Sequence, residues 1–85
     1  MKSFEYTIKD PMGLHARPAG VMVKMCSTLE SDITLETNGK TANAKKIIAV
    51  MGLGAKQGAV VKVNISGNDE DSACEKLKEF FEANF

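Results

Sequence analysis

Three stretches of this chain place apolar residues at every second position, and that period of two constrains the fold more than any other feature. Phe4, Tyr6 and Ile8 alternate with Ser3, Glu5, Thr7 and Lys9, and Ile33, Leu35 and Thr37 alternate with polar or charged partners. Val61, Val63 and Ile65 share one side of 59–66, which reads as the central strand. Each strand has a single apolar side, so the sheet they build needs a cover on one face only. Asn38-Gly39 follows the second strand and matches a two-residue hairpin turn, because both residues tolerate positive φ; a short third strand, Lys40 to Asn43, is expected after it.

The cover comes from segments of helical period. From about Ala16 to Leu29, Ala19, Met22, Val23, Cys26 and Leu29 recur three and four apart, and Met22 and Met25 are read as core packing. Ser31-Asp32 breaks that helix. Lys45 to Leu53 reads as a short helix bearing Ile47, Ile48 and Met51, with Gly52 and Gly54 available to end it. In the last helix Asn68 is the expected N-cap, and Asp69, Glu70 and Asp71 occupy the first turn, where the helix dipole favours them. Ala73, Cys74, Leu77, Phe80, Phe81 and Asn84 trace one face of it. The order β-α-β-β-α-β-α predicts an α+β fold: a four-stranded, mostly antiparallel sheet with its helices on one face and the other face wet.

An 85-residue chain with 44% apolar residues can build one core without metal or disulfide staples, so a single domain over 1–85 is expected. Eleven basic and eleven acidic residues leave no net charge, which argues against general binding to nucleic acid or anionic membrane. No apolar run is long enough to span a bilayer, and the first residues lack the apolar core of a signal peptide. A cytoplasmic protein is the expectation. Cys26 and Cys74 are not spaced as a redox pair, and each falls on the apolar stripe of a helix, so two buried free thiols are expected. A single histidine and no ligand cluster argue against a metal site, and no cofactor is expected. Gly52-Leu53-Gly54 lacks the lysine and hydroxyl residue of a nucleotide-binding loop.

The chemistry is concentrated in Gly13-Leu14-His15-Ala16-Arg17-Pro18-Ala19-Gly20. Asp10-Pro11-Met12-Gly13 is a turn that delivers the chain to His15, which falls at or next to the N-cap of the first helix. The first N–H groups of a helix have no internal partner and sit at its positive end, so the backbone at Ala16 and Arg17 is a ready anion cradle. Arg17 adds a permanently charged fork that suits phosphate oxygens, and Pro18 stands where a missing N–H costs little. A neutral imidazole supplies the nucleophilic nitrogen. Nucleophile, cradle and counter-charge thus lie within three residues.

Gly-Leu-His-Ala-Arg-Pro-Ala near the start of a chain of this length closely resembles the HPr family of phosphocarrier proteins, which serve the bacterial phosphoenolpyruvate-dependent sugar phosphotransferase system (PTS). Asn38-Gly39-Lys40, the stretch from Lys45 to Gly54 and the closing helix with its acidic start extend the likeness over essentially the whole chain. The resemblance implies an open-faced β-sandwich with strand order 1-4-2-3. It also implies that His15 accepts a phosphoryl group on Nδ1 from phosphorylated enzyme I and passes it to an enzyme IIA component, as a relay without turnover of its own. The region expected to dock both partners is an apolar patch with a basic edge around His15, drawn from Met12, Gly20, Lys24, Ile47, Ile48 and Met51. A monomer is expected. The alternative is a chain of the same fold in a regulatory or dedicated phosphorelay, of nitrogen-control or dihydroxyacetone type. Many members of the family carry a phosphorylatable serine where this chain has Lys46, so the serine switch is expected to be absent.

Overall fold

The computed structural model describes residues 1–85. Its elements run β1 (Lys2–Thr7), α1 (Ala16–Ser27), β2 (Asp32–Thr37), β3 (Lys40–Asn43), α2 (Ile47–Gly52), β4 (Val60–Ser66) and α3 (Glu70–Asn84). The four strands form one antiparallel sheet in the order β1-β4-β2-β3, so β4 is internal although it comes last in sequence. Register aligns the apolar sides: Phe4 pairs with Val63, Tyr6 with Val61, Ile33 with Ile65 and Leu35 with both Val63 and Ala42. Three helices cover that side, and a cluster of 21 buried apolar residues lies between the layers. On the opposite, polar side, the Asn64 amide donates to Glu36 Oε2 at 2.8 Å.

The hairpin between β2 and β3 turns as its sequence dictates, with Asn38 at φ 53° and Gly39 at φ 73°. Ala19, Met22 and Cys26 carry the buried stripe of α1, and Ala73, Cys74, Leu77 and Phe81 carry that of α3. Both cysteines are free and buried, and burial pushes the Cys26 thiol up to about 11.

Element ends depart from expectation where tertiary bonds take over. β1 stops at Thr7 because the N–H groups of Lys9 and Asp10 both donate to the Phe85 main-chain oxygen, at 2.6 and 2.8 Å. Helix α1 ends at Ser27, with Thr28 as its C-cap, and α2 begins only at Ile47. The N-cap of α3 is Asp69 and not Asn68. The Asp69 carboxylate does not cap its own helix; it accepts hydrogen bonds from the Ser31 hydroxyl and from the N–H groups of Glu30 and Ser31, both at 2.9 Å. These bonds hold its carboxyl below the usual carboxylate range, with the Ser31 hydroxyl as the main cause. Asp69 thus clamps the start of α3 to the loop between α1 and β2, while Glu70 and Asp71 occupy the first turn as expected.

Candidate functional site

His15 is the N-cap of α1, with extended backbone at φ −87° and ψ 162°. Its carbonyl accepts the Ala19 N–H at 3.1 Å, which closes the first helical turn. Its own N–H donates to the Gly13 carbonyl at 2.9 Å, which closes a tight turn immediately before the helix. The N–H groups of Ala16 and Arg17 donate to no backbone carbonyl, and Pro18 has none to offer. Two unpaired donors therefore follow the imidazole at the positive end of α1. Arg17 is exposed and has no carboxylate partner. Met12, His15, Ala16 and Arg17 line one shallow, open depression.

The approach to His15 is fixed from below. Gly13 adopts φ 66°, and a Cβ there would lie 2.3 Å from the Ala55 carbonyl oxygen and 2.8 Å from the Lys56 Cα. Leu14 donates its N–H to the same Ala55 carbonyl at 3.0 Å and buries its side chain. The chain leaving α2 is thus the floor on which the histidine loop rests.

The expected docking residues divide by exposure. Met12 is 71% exposed, Ile48 83%, Ile47 39% and Met51 38%, whereas Val50 and Leu53 anchor α2 in the core. Ile47 and Met51 are therefore not the anchors beneath the short helix, although each is partly covered. Lys24 is exposed on α1, and Gly20 is half-buried, with nothing beyond its own helix backbone within 4 Å of the position a Cβ would take. Helix α2 packs on α1, which brings the two sets onto neighbouring elements. Lys46 is the N-cap of α2, makes no capping bond and has no hydroxyl to modify. Lys45 instead reaches across to donate from Nζ to the Leu29 carbonyl at 2.9 Å.

Two neighbours of His15 were not legible as such. Asp10 Oδ2 lies 3.4 Å from His15 Nε2, and the Phe85 ring meets the imidazole edge-on with centroids 6.5 Å apart. Asp10 shows in the sequence only as a turn residue, and Phe85 stands seventy positions from the histidine it touches. No group of three or more His, Cys, Asp or Glu side chains is placed to hold a metal ion.

A family model described as "PTS HPr component phosphorylation site" matches residues 2–83. The chain is 44% identical over 85 residues to a phosphocarrier protein HPr of Xylella fastidiosa (strain Temecula1 / ATCC 700964), covering all of this chain and 96% of that one. A crystal structure of HPr-C-His from Thermoanaerobacter tengcongensis superposes with a TM-score of 0.91 at 42% identity, over 98% of this chain and 93% of the other. A crystal structure described as an HPr dimer from the same organism superposes with a TM-score of 0.76 at 42% identity, over 98% and 95% of the two chains.

Proposed function

The chain belongs to the PTS HPr family, and from that premise we propose that it carries a phosphoryl group on His15, taken from phosphorylated enzyme I and given to an enzyme IIA component. The observation that carries this reading is the placement of the imidazole at the N-cap of α1, ahead of two unpaired N–H groups and the unpaired Arg17 guanidinium. Phosphate oxygens on the ring meet the N–H groups of Ala16 and Arg17, while Arg17 supplies the counter-charge. The depression is open, so the group is held without being enclosed, as a relay with two successive partners requires. The protein is a covalent carrier, loaded and emptied once per cycle, and not an enzyme with turnover of its own.

Both partners dock on the patch formed by Met12, Gly20, Lys24, Ile47, Ile48 and Met51, whose exposed apolar side chains leave surface to bury against another protein. One copy is sufficient, because every group in the proposed site comes from one chain. Sedimentation distinguishes this from a dimer of the kind described for T. tengcongensis. No helix is long and apolar enough to cross a membrane, and the relay works from the cytoplasm. With Lys46 at the start of α2, control by phosphorylation of a serine there is absent.

The test is transfer of label from phosphoenolpyruvate through enzyme I to the full chain, and on to IIA, with His15→Ala alongside. Acid-labile labelling that disappears in the variant is the expected result. A folded native protein that takes no label refutes the general sugar-transport role and directs the search to a dedicated relay.

A further inference from the structure

Asp10 is the charged side chain that the fold brings to His15 from outside the helix start. Its backbone is fixed at both ends: its N–H donates to the Phe85 main-chain oxygen at 2.8 Å and its carbonyl accepts the Gly13 N–H at 2.9 Å. One carboxylate oxygen, Oδ1, accepts the Met12 N–H at 2.8 Å. The second oxygen lies 3.4 Å from His15 Nε2. The Phe85 ring lies edge-on to the imidazole at 89°, with centroids 6.5 Å apart. His15 Nδ1 makes no hydrogen bond within the protein.

The geometry points to Asp10 as a positioning residue for phosphoryl transfer: its carboxylate keeps the His15 proton on Nε2 and so presents Nδ1 with its lone pair free. This rests on His15 being the phosphoryl acceptor, as proposed above. A neutral imidazole has one N–H and one lone pair, and a carboxylate can only accept, so it favours the tautomer protonated on the nitrogen it faces. In the transfer the Nδ1 lone pair forms the new N–P bond while the bond from phosphorus to the donor breaks, and that electron pair leaves with the donor. The Nε2 proton stays in place. The ring gains positive charge shared between its two nitrogens, and the Asp10 carboxylate is the anion facing it. Arg17 and the helix start serve the phosphoryl group; Asp10 serves the ring.

Asp10→Asn separates this role from that of a turn residue. The amide oxygen still accepts the Met12 N–H, but an NH2 group then faces Nε2, which must act as acceptor and shift the proton to Nδ1. Two partner-independent measurements on the full chain read the effect: ¹⁵N NMR of the His15 ring at mildly alkaline pH, and the rate of His15 phosphorylation by phosphoramidate. Kinetics with enzyme I then separate KM from kcat. The expected result is a shift of the ring toward the Nδ1–H tautomer and a loss of about tenfold in rate with both donors, with KM within about twofold and the unfolding midpoint unchanged. The side chains of His15 and Asp10 are 27% and 30% exposed, which keeps the loss far below the ~10⁴-fold of a buried His–Asp pair. Wild-type tautomer and wild-type rates in Asp10→Asn overturn the inference. A native protein that takes phosphoryl from neither donor refutes the acceptor reading, and the inference with it; the NMR result identifies which premise failed.

Discussion

Gly13→Ala tests whether the histidine loop is held by its floor. The substitution forces a Cβ onto a residue at φ 66°, a left-handed conformation that costs an L residue about 1–2 kcal/mol. The same Cβ would stand 2.3 Å from the Ala55 carbonyl oxygen and 2.8 Å from the Lys56 Cα, both backbone atoms. Relief requires the loop to lift from the chain after α2, which breaks the 3.0 Å bond from the Leu14 N–H to Ala55. Leaving that buried pair unsatisfied costs roughly 1–3 kcal/mol more. The expected destabilisation is about 3 kcal/mol, against roughly 4–13 kcal/mol available to a domain of this size. It lowers Tm by roughly 10–25 °C. Urea unfolding followed by circular dichroism measures it, with Gly20→Ala as the comparison. Gly20 lies within α1 and a Cβ there meets nothing within 4 Å beyond its own helix backbone, so that variant gains about 0.5–1 kcal/mol. A loss below about 1 kcal/mol in Gly13→Ala, at unchanged m, refutes the argument that backbone contact and positive φ fix this loop.

Three further outcomes follow from the geometry. Ile48→Ser leaves stability within about 0.5 kcal/mol because the side chain is 83% exposed, yet raises KM for enzyme I about tenfold if the patch docks it; steady-state labelling kinetics decide. Cys26, pushed from 9.0 up to about 11 by burial, keeps its proton in the folded chain while the unfolded chain loses it. Stability therefore falls by up to about 2–3 kcal/mol as pH rises from about 9 to 11. Cys26→Ser removes that slope in urea midpoints, and the native thiol resists alkylation until the protein unfolds. Asp69 has the opposite sign: its lowered carboxyl contributes stability above the ordinary carboxylate range and loses it as pH falls through the lowered value. Asp69→Asn flattens the acid limb of the stability profile, measured by urea midpoint against pH.

The strands, their inward faces and the hairpin at Asn38-Gly39 were legible because each is set by local periodicity or by the φ preference of one or two residues. The placement of His15 at a helix start was legible for the same reason, since Gly13, Pro18 and the stripe of Ala19, Met22 and Cys26 all act within a few residues. The division of α2 was only partly so. Ile47, Ile48, Val50, Met51 and Leu53 are all apolar, and which of them face the core depends on how α2 packs on α1 and β3. The N-cap of α3 falls at Asp69, one residue after the position expected from local signals, and Asp69 bonds to Glu30 and Ser31, partners 39 and 38 positions away. The surroundings of the imidazole divide in the same way. The sequence by itself determined that the imidazole stands at a helix start, ahead of two unpaired N–H groups and beside Arg17, because a helix end and its capping residues are local. Only the tertiary structure decided that Asp10 faces Nε2, that Phe85 abuts the ring and that the chain after α2 supports the loop, because those contacts depend on where distant segments come to rest once the apolar face of the sheet is buried.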